Sequence, residues 1–210
     1  EELNEKNISI VSFSDLHSFW PWRIGREATI FKKTDSYSEL IRQIRENDFF
    51  GTIETDPAYG KYHWDGHANC NFFCPPEKTK ELKGICPKCG KKLTIGVENR
   101  VEILSGNSRE DGKIEFRILP LHEIISMHLG CGINTKRVWE IYNNLIREFE
   151  NEFNILLDAS KEELSRVIDD EKLVELILKN REGKIKVKPG FDGEYGIAQI
   201  SEIDEQKKLF

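Results

Sequence analysis

Four of the chain's five cysteines, Cys70, Cys74, Cys86 and Cys89, fall within one short stretch. Nothing else in the sequence constrains the fold as strongly. From Tyr59 to about Leu104, Gly, Cys, Pro and Lys crowd together, and the apolar content is too thin to build a core unaided. Cys86-Pro87-Lys88-Cys89-Gly90 reads as a knuckle that turns two thiolates toward one point. Cys70 and Cys74 supply the other half of a tetrahedron, so a structural zinc ion with four protein ligands is expected. The spacing leaves the fourth ligand open: His67, three residues before Cys70, or the nearby His63 can stand in for Cys74, which is the preferred choice. Cys131, between two glycines, reads as a small packed residue.

The flanking regions have other patterns. Ile8 to Phe13 reads as a buried strand ending at Ser14-Asp15-Leu16-His17, followed by a Pro-containing aromatic loop, FWPWRIGREATIF. Leu40, Ile41 and Ile44 repeat at helical spacing behind a cap at Asp35 or Ser36. Asn47 and Asp48 stop that helix, and a short strand follows at Phe49 to Ile53. This order is α/β. Glu98 to Val101 reads as strand and surface, and SGNSREDGK (105–113) as a polar linker. After it, four apolar faces at helical spacing predict a bundle: Leu121/Ile124/Ile125/Leu129, then Val138 through Phe149, Leu164/Val167/Ile168 and Leu173/Leu176/Ile177. KIKVKPGFDGEYGIAQI reads as a terminal hairpin.

The net charge of -6 argues against binding nucleic acid by bulk positive charge. Residues 61–100 nevertheless carry 8 basic and 4 acidic side chains. Any phosphate contact must therefore be local. Arg23, Arg26, Lys88, Lys91, Lys92 and Arg100 are candidates, with Lys136 and Arg137 behind a second feature, Leu129-Gly130-Cys131-Gly132-Ile133. That segment resembles a helix-hairpin-helix turn, in which glycines admit a phosphate to the amides of the next helix. A plain helix-helix turn accounts for it equally well. No run approaches the ~18 apolar residues of a membrane span, and the N-terminus lacks the pattern of a signal peptide. The expected compartment is the cytosol, where thiols stay reduced and favour metal over disulfide. Beginning at Glu1 close to an apolar strand, the chain is expected to belong to a longer protein.

Asp15 and His17, two apart, would point to the same side of a strand and could grip one metal ion. Taken alone, the triplet fits a capped strand end at least as well. The runs SFSDLHSFWPWRIGRE, GKYHWDGHANC, GICPKCGKKLTIGVENRVEIL, ILPLHEII and PGFDGEYG resemble, in this order, those of the endonuclease Q family. These are PHP-type metal-dependent nucleases that nick DNA beside deaminated bases. The resemblance implies that Asp15 and His17 belong to the last PHP metal motif and that Cys70, Cys74, Cys86 and Cys89 belong to a zinc-binding domain.

What the resemblance implies for the whole chain is an α/β edge of a PHP-type barrel (1–58), a small zinc-binding domain (59–104) and a mainly helical C-terminal domain with the terminal hairpin (105–210). No His-x-His pair occurs near the start, so the earlier PHP motifs are missing and the chain alone is expected not to cut DNA. The expected cofactors are structural zinc and, in the complete enzyme, catalytic Mg, Mn or Zn. The expected partner is DNA with deaminated bases such as uracil or hypoxanthine, alongside other repair or replication proteins. A pocket for the extruded base could be lined by Phe19, Trp20, Trp22, Tyr62, His63 and Trp64; interdomain packing is the competing reading of these aromatics. Two other functions fit the residues: a non-catalytic zinc-containing DNA-binding module of a larger repair or helicase protein, and a scaffold whose helices dock a partner.

Overall fold

A computed structural model describes residues 9–17, 20, 26–105 and 114–199. Ile8, Phe19, Trp22, Arg23 and nearly all of the expected linker 105–113 lie outside the described residues. In chain order the strands are β1 (Ala28–Ile30), β2 (Gly51–Glu54), β3 (Asp65–His67), β4 (Phe72–Cys74), β5 (Ile114–Arg117), β6 (Lys186–Lys188) and β7 (Ile197–Gln199). The helices are α1 (Tyr37–Arg45), α2 (Pro76–Glu81), α3 (Val97–Leu104), α4 (Leu121–Leu129), α5 (Lys136–Phe149), α6 (Lys161–Val167) and α7 (Glu171–Arg181). Of the described residues, one compact unit holds 9–55 and 114–185 and a second holds 56–105 and 186–199.

In the first unit β2 pairs antiparallel with β1 and parallel with β5. Gly51 lies where a Cβ would run into the carbonyl of Ile114, so the parallel pairing itself requires glycine there. Helix α1 starts at Ser36, whose side chain accepts from the backbone N–H of Glu39. Gln43 on this helix is buried, and its amide makes both backbone bonds of Lys32: Lys32 N–H donates to Oε1 at 2.9 Å and Nε2 donates to the Lys32 carbonyl at 3.2 Å. A side chain here takes the place of a missing strand.

The expected strand over Ile8 to Phe13 is not formed in its described part. Residues 9–17 have no regular structure, and Ile10 and Phe13 are 61% and 60% exposed. A buried strand needs ladder partners and covered faces. Here the Thr29 hydroxyl engages Ser12, accepting from its N–H and donating to its carbonyl, both at 2.9 Å, and the Ser9 hydroxyl donates to the Arg45 carbonyl at 3.3 Å. The loop expected at FWPWRIGREATIF is also partly regular, because Ala28–Ile30 finds β2 as a partner.

Helices α4 to α7 form the expected bundle. Leu121, Ile124, Ile125, Val138, Leu145, Leu164, Val174 and Ile177 are wholly buried. Between α5 and α6 lies a π-helical turn at Asn154–Asp158, which no apolar repeat announces. Its carbonyls are met by the Arg181 guanidinium, which donates to Ile155, Leu156 and Ala159 at 3.0, 2.8 and 2.7 Å. Helix α4 follows Pro120 and has no side-chain cap of its own; the half-buried Glu152 carboxylate accepts from Leu121 N–H at 2.6 Å and from the Tyr142 hydroxyl at 2.9 Å. Burial raises the Glu152 carboxyl above its usual range despite those two donors. Asn180, also buried, brackets Leu119 with a donor and an acceptor, much as Gln43 brackets Lys32.

The second unit is a set of short pieces. β3 and β4 form one hairpin and β6 and β7 another, both antiparallel. The stretch Glu98 to Val101 is helical, within α3, rather than strand. The buried Asp65 carboxylate fixes that helix start, accepting from Gly96 N–H at 2.5 Å and from Asn99 Nδ2 at 2.6 Å. Such a carboxylate suits the positive end of a helix. Phe191, in the C-terminal hairpin, stacks on Phe73 with ring centroids 4.7 Å apart. Gly66 leaves the space that Phe191 fills.

Candidate metal centre

Hairpin β3–β4 carries at its tip a single 3-10 turn, Ala68–Cys70, closed by Asn71 in the left-handed region (φ 43°). That turn brings His67 and Cys70 side by side. The knuckle supplies the other two groups: Gly90 N–H donates to the Cys86 carbonyl at 2.9 Å, Cys86 N–H donates to the Lys91 carbonyl at 2.7 Å, and Gly90 takes φ 73°. Glycine is needed at that angle. The ligand atoms of His67, Cys70, Cys86 and Cys89 all lie within 4.8 Å of one another and could hold a metal ion.

Cys74, the preferred fourth ligand, is outside this cluster. β-Register explains why: Cys74 is paired with Asp65 while His67 is paired with Phe72, so Cys74 sits two residues down the hairpin from its tip. Its sulfur is not among the four ligand atoms that lie within 4.8 Å of one another. Cys74 instead contributes to a small buried cluster with Leu93 and Cys86. Its sulfur lies 3.3 Å from the Thr79 hydroxyl, and burial pushes its thiol up. The usable pattern is two identical spacings, His67-x-x-Cys70 and Cys86-x-x-Cys89, rather than four cysteines.

The electrostatics of the cluster suit a cation. Cys89 Sγ lies 3.3 Å from His67 Nδ1. Hydrogen bonding to Cys89, with burial and the nearby Cys86, drives the Cys70 thiol up to about 11. Burial opposes ionisation of Cys86, yet the backbone N–H groups of Lys88 and Cys89, with His67, bring it down to about 7. Three sulfurs this close cannot all ionise unless positive charge compensates them.

The remaining sequence candidates scatter. Asp15 and His17 touch each other: His17 Nδ1 is 2.7 Å from the Asp15 carbonyl and 3.8 Å from its carboxylate. Their side chains are 93% and 82% exposed, and Asp15 has φ 44°, not a strand geometry. No third ligand joins them among the described residues. Arg26 is engaged, donating to Thr55 Oγ1 at 3.3 Å and pairing with Glu123 at 3.2 Å. Trp20 and Tyr62 are exposed. His63 is turned inward beside Glu98 at 3.3 Å, and the Trp64 ring lies 5.9 Å from Phe73.

Lys91, Lys92, Arg100, Lys136 and Arg137 are exposed, while Lys88 reaches back to donate to the Cys70 carbonyl at 2.9 Å. Gly130 ends α4 at φ 61°, and Thr135 precedes α5, as a helix-turn-helix joint requires. Arg137 lines a cleft of about 200 Å³ with His128 and Asp170, whose side chains meet at 2.7 Å. Cys131 lies against Thr135 and not at the metal centre. Two residues that the sequence reading missed support the centre: Asp65, and Asp192 of the C-terminal hairpin. Asp192 accepts from Ala68 N–H at 2.7 Å, next to His67, and from the Thr94 hydroxyl at 2.6 Å.

The chain thus joins a candidate metal centre of three cysteines and one histidine, on a hairpin and a knuckle, to a compact helical bundle. In sequence and fold the chain is similar to endonuclease Q. It superposes on the lesion-specific endonuclease PfuEndoQ from Pyrococcus furiosus with a TM-score of 0.83 and 32% identity, over 98% of this chain and 52% of that one. A structure of endonuclease Q with a 27-mer duplex substrate carrying an abasic lesion at the active site gives 0.77 and 32%, over 95% and 51%. Residues 120–184 match the family model of the MJ0043 C-terminal domain. MJ0043 of Methanocaldococcus jannaschii is 35% identical over 205 residues, 91% of this chain and 25% of that protein. YqxK of Bacillus subtilis is 28% identical over 191 residues, 87% and 44%. The chain thus spans about a quarter of one curated relative and under half of the other. Among the described residues no helix is long and apolar enough to cross a membrane.

Proposed function

We propose that this chain is the metal-module and helical portion of a lesion-specific DNA endonuclease whose substrates include deaminated bases. The observation that carries this is the match to PfuEndoQ at 32% identity over 98% of the chain. The ion at the centre is zinc. Three thiolates and one imidazole form a closed tetrahedral donor set with no open position, so the metal organises the fold and takes no part in the reaction. With Zn–S bonds of 2.3 Å the donors of such a site are about 3.8 Å apart, a small contraction of the cluster described above.

Asp15 and His17 act as ligands for catalytic divalent ions only when the rest of a PHP-type barrel is supplied. Such ions lower the pKa of bound water and stabilise the leaving oxygen. The exposed bases Lys91, Lys92, Lys136 and Arg137 contact phosphates, which position the duplex without reading its sequence. Extrusion of the damaged base is cheapest where pairing is already weak.

The bareness of the Asp15 and His17 side chains favours a second reading, a non-catalytic zinc-containing DNA-binding module of a larger repair or helicase protein. The test uses labelled duplexes carrying one uracil, hypoxanthine or abasic site, with Mg²⁺ or Mn²⁺. The 210-residue chain is expected to bind them more tightly than undamaged duplex and to leave them uncut. Equal affinity for damaged and undamaged DNA would refute the lesion-specific reading. If Asp15→Asn leaves nicking intact in a protein that also carries the barrel portion, the second reading takes over.

A further inference from the structure

Tyr195 is the most exposed aromatic side chain among the described residues of the second unit, at 67%, and the backbone beneath it is closely hydrogen-bonded. Gly196, the next residue, donates its N–H to the Tyr59 carbonyl at 3.1 Å, and a Cβ there would collide with the backbone of Ala58. Gly190 is confined in the same way by Gly60 and Glu194, and its N–H donates to the Ala58 carbonyl at 2.8 Å. Neither glycine has a positive φ, so close backbone approach is what demands them. Gly193 N–H donates to the Lys61 carbonyl at 3.0 Å, and Asp192 ties the turn to Ala68 and Thr94. A large apolar ring held in solvent on so firmly anchored a turn is prepared for a partner.

The surroundings name the chemistry. Lys61 Nζ stands 4.6 Å from the centroid of the Tyr195 ring, and Lys188 Nζ stands 4.9 Å from that of Phe73. Tyr62, 51% exposed, follows Lys61 and brings its hydroxyl toward Gly193. Along the hairpin Lys188 pairs with Ile197 and Lys186 with Gln199, which puts two ammonium groups and the exposed Ile197 on one face. Flat rings interleaved with cations fit a strand of bases and phosphates. Glu194 is the exposed acid on the turn, so the phosphates must run on the lysine side.

We propose that Tyr195, with Lys61, Tyr62 and Lys188, is a stacking platform for an unpaired base and its flanking phosphates in a DNA strand. It rests on the DNA reading above and adds a site to it. The C-terminal hairpin thereby becomes part of the DNA-binding surface, and Asp192 makes the platform depend on the metal centre, since it also holds the residue next to His67.

The experiment titrates the 210-residue chain with a fluorescein-labelled single strand, and in parallel with one that carries 2-aminopurine, whose emission falls when it stacks. Tyr195→Ala is expected to weaken binding about five- to tenfold and to abolish the quenching, with unchanged metal content. Tyr195→Trp should keep both, and Glu194→Gln should tighten binding slightly. If the parent chain binds but Tyr195→Ala binds and quenches equally well, the platform is refuted and the DNA reading stands. If the parent chain binds no DNA at all, both fall.

Discussion

The two units of this chain are held together by different means. In the helical unit, aliphatic side chains from four helices are wholly buried against one another, each contributing about 25 cal/mol per Å² of apolar surface removed from water. In the metal unit the cluster around the ligands amounts to Cys74, Cys86 and Leu93, bordered by Cys70, Phe72 and Leu82. Polar anchors do the remaining work there: Asp65 on α3, Asp192 on the Cys70 turn, and glycines that let backbone meet backbone. A region with little core can keep a defined shape provided that ligation and buried hydrogen bonds fix it. Its stability should then answer to metal and the other unit's to packing.

The largest effect expected is metal removal. Chelation, or Cys86→Ser with Cys89→Ser, should unfold the metal unit while the bundle keeps its helical circular dichroism and cooperative melt; loss of both signals together would show that the contrast is false. Next is Leu145→Ala in the bundle, expected to destabilise by about 2–5 kcal/mol in urea titration without altering the metal content per chain. A finer comparison lies within the metal unit. His67→Ala should release the ion, whereas Cys74→Ala should keep full stoichiometry and lose only about 1 kcal/mol; metal analysis of the purified variants decides between the two fourth ligands.

The smallest effect is in pH. Glu152 is a carboxyl whose folded pKa is raised, so the folded state binds the extra proton between the usual 4.5 and the raised value. Stability of the bundle should therefore fall as pH rises through that window. Urea midpoints across it should show the decline in the parent and a flatter profile in Glu152→Gln.

Much of this was legible in the residues. Apolar repeats located α1 and α4 to α7, because a stripe at 3.6-residue spacing can bury itself in only one way. The Cys86–Cys89 knuckle could be read because its geometry is local. The choice between Cys74 and His67 could not, since it turns on which residue of a hairpin lies at its tip. Nor could the buried amides of Gln43 and Asn180, each of which serves a backbone segment distant in sequence.

The sequence by itself determined that the chain has a helical bundle and a cysteine-rich segment with metal-ligand spacing, because periodicity and knuckle spacing are properties of neighbouring residues. Only the tertiary structure decided that His67, and not Cys74, lies with the other three candidate ligands, that the C-terminal hairpin stacks on Phe73 through Phe191, and that Tyr195 is left in solvent on a hydrogen-bonded turn. Those outcomes depend on strand register and on contacts between residues more than a hundred positions apart, for which a linear pattern has no signal.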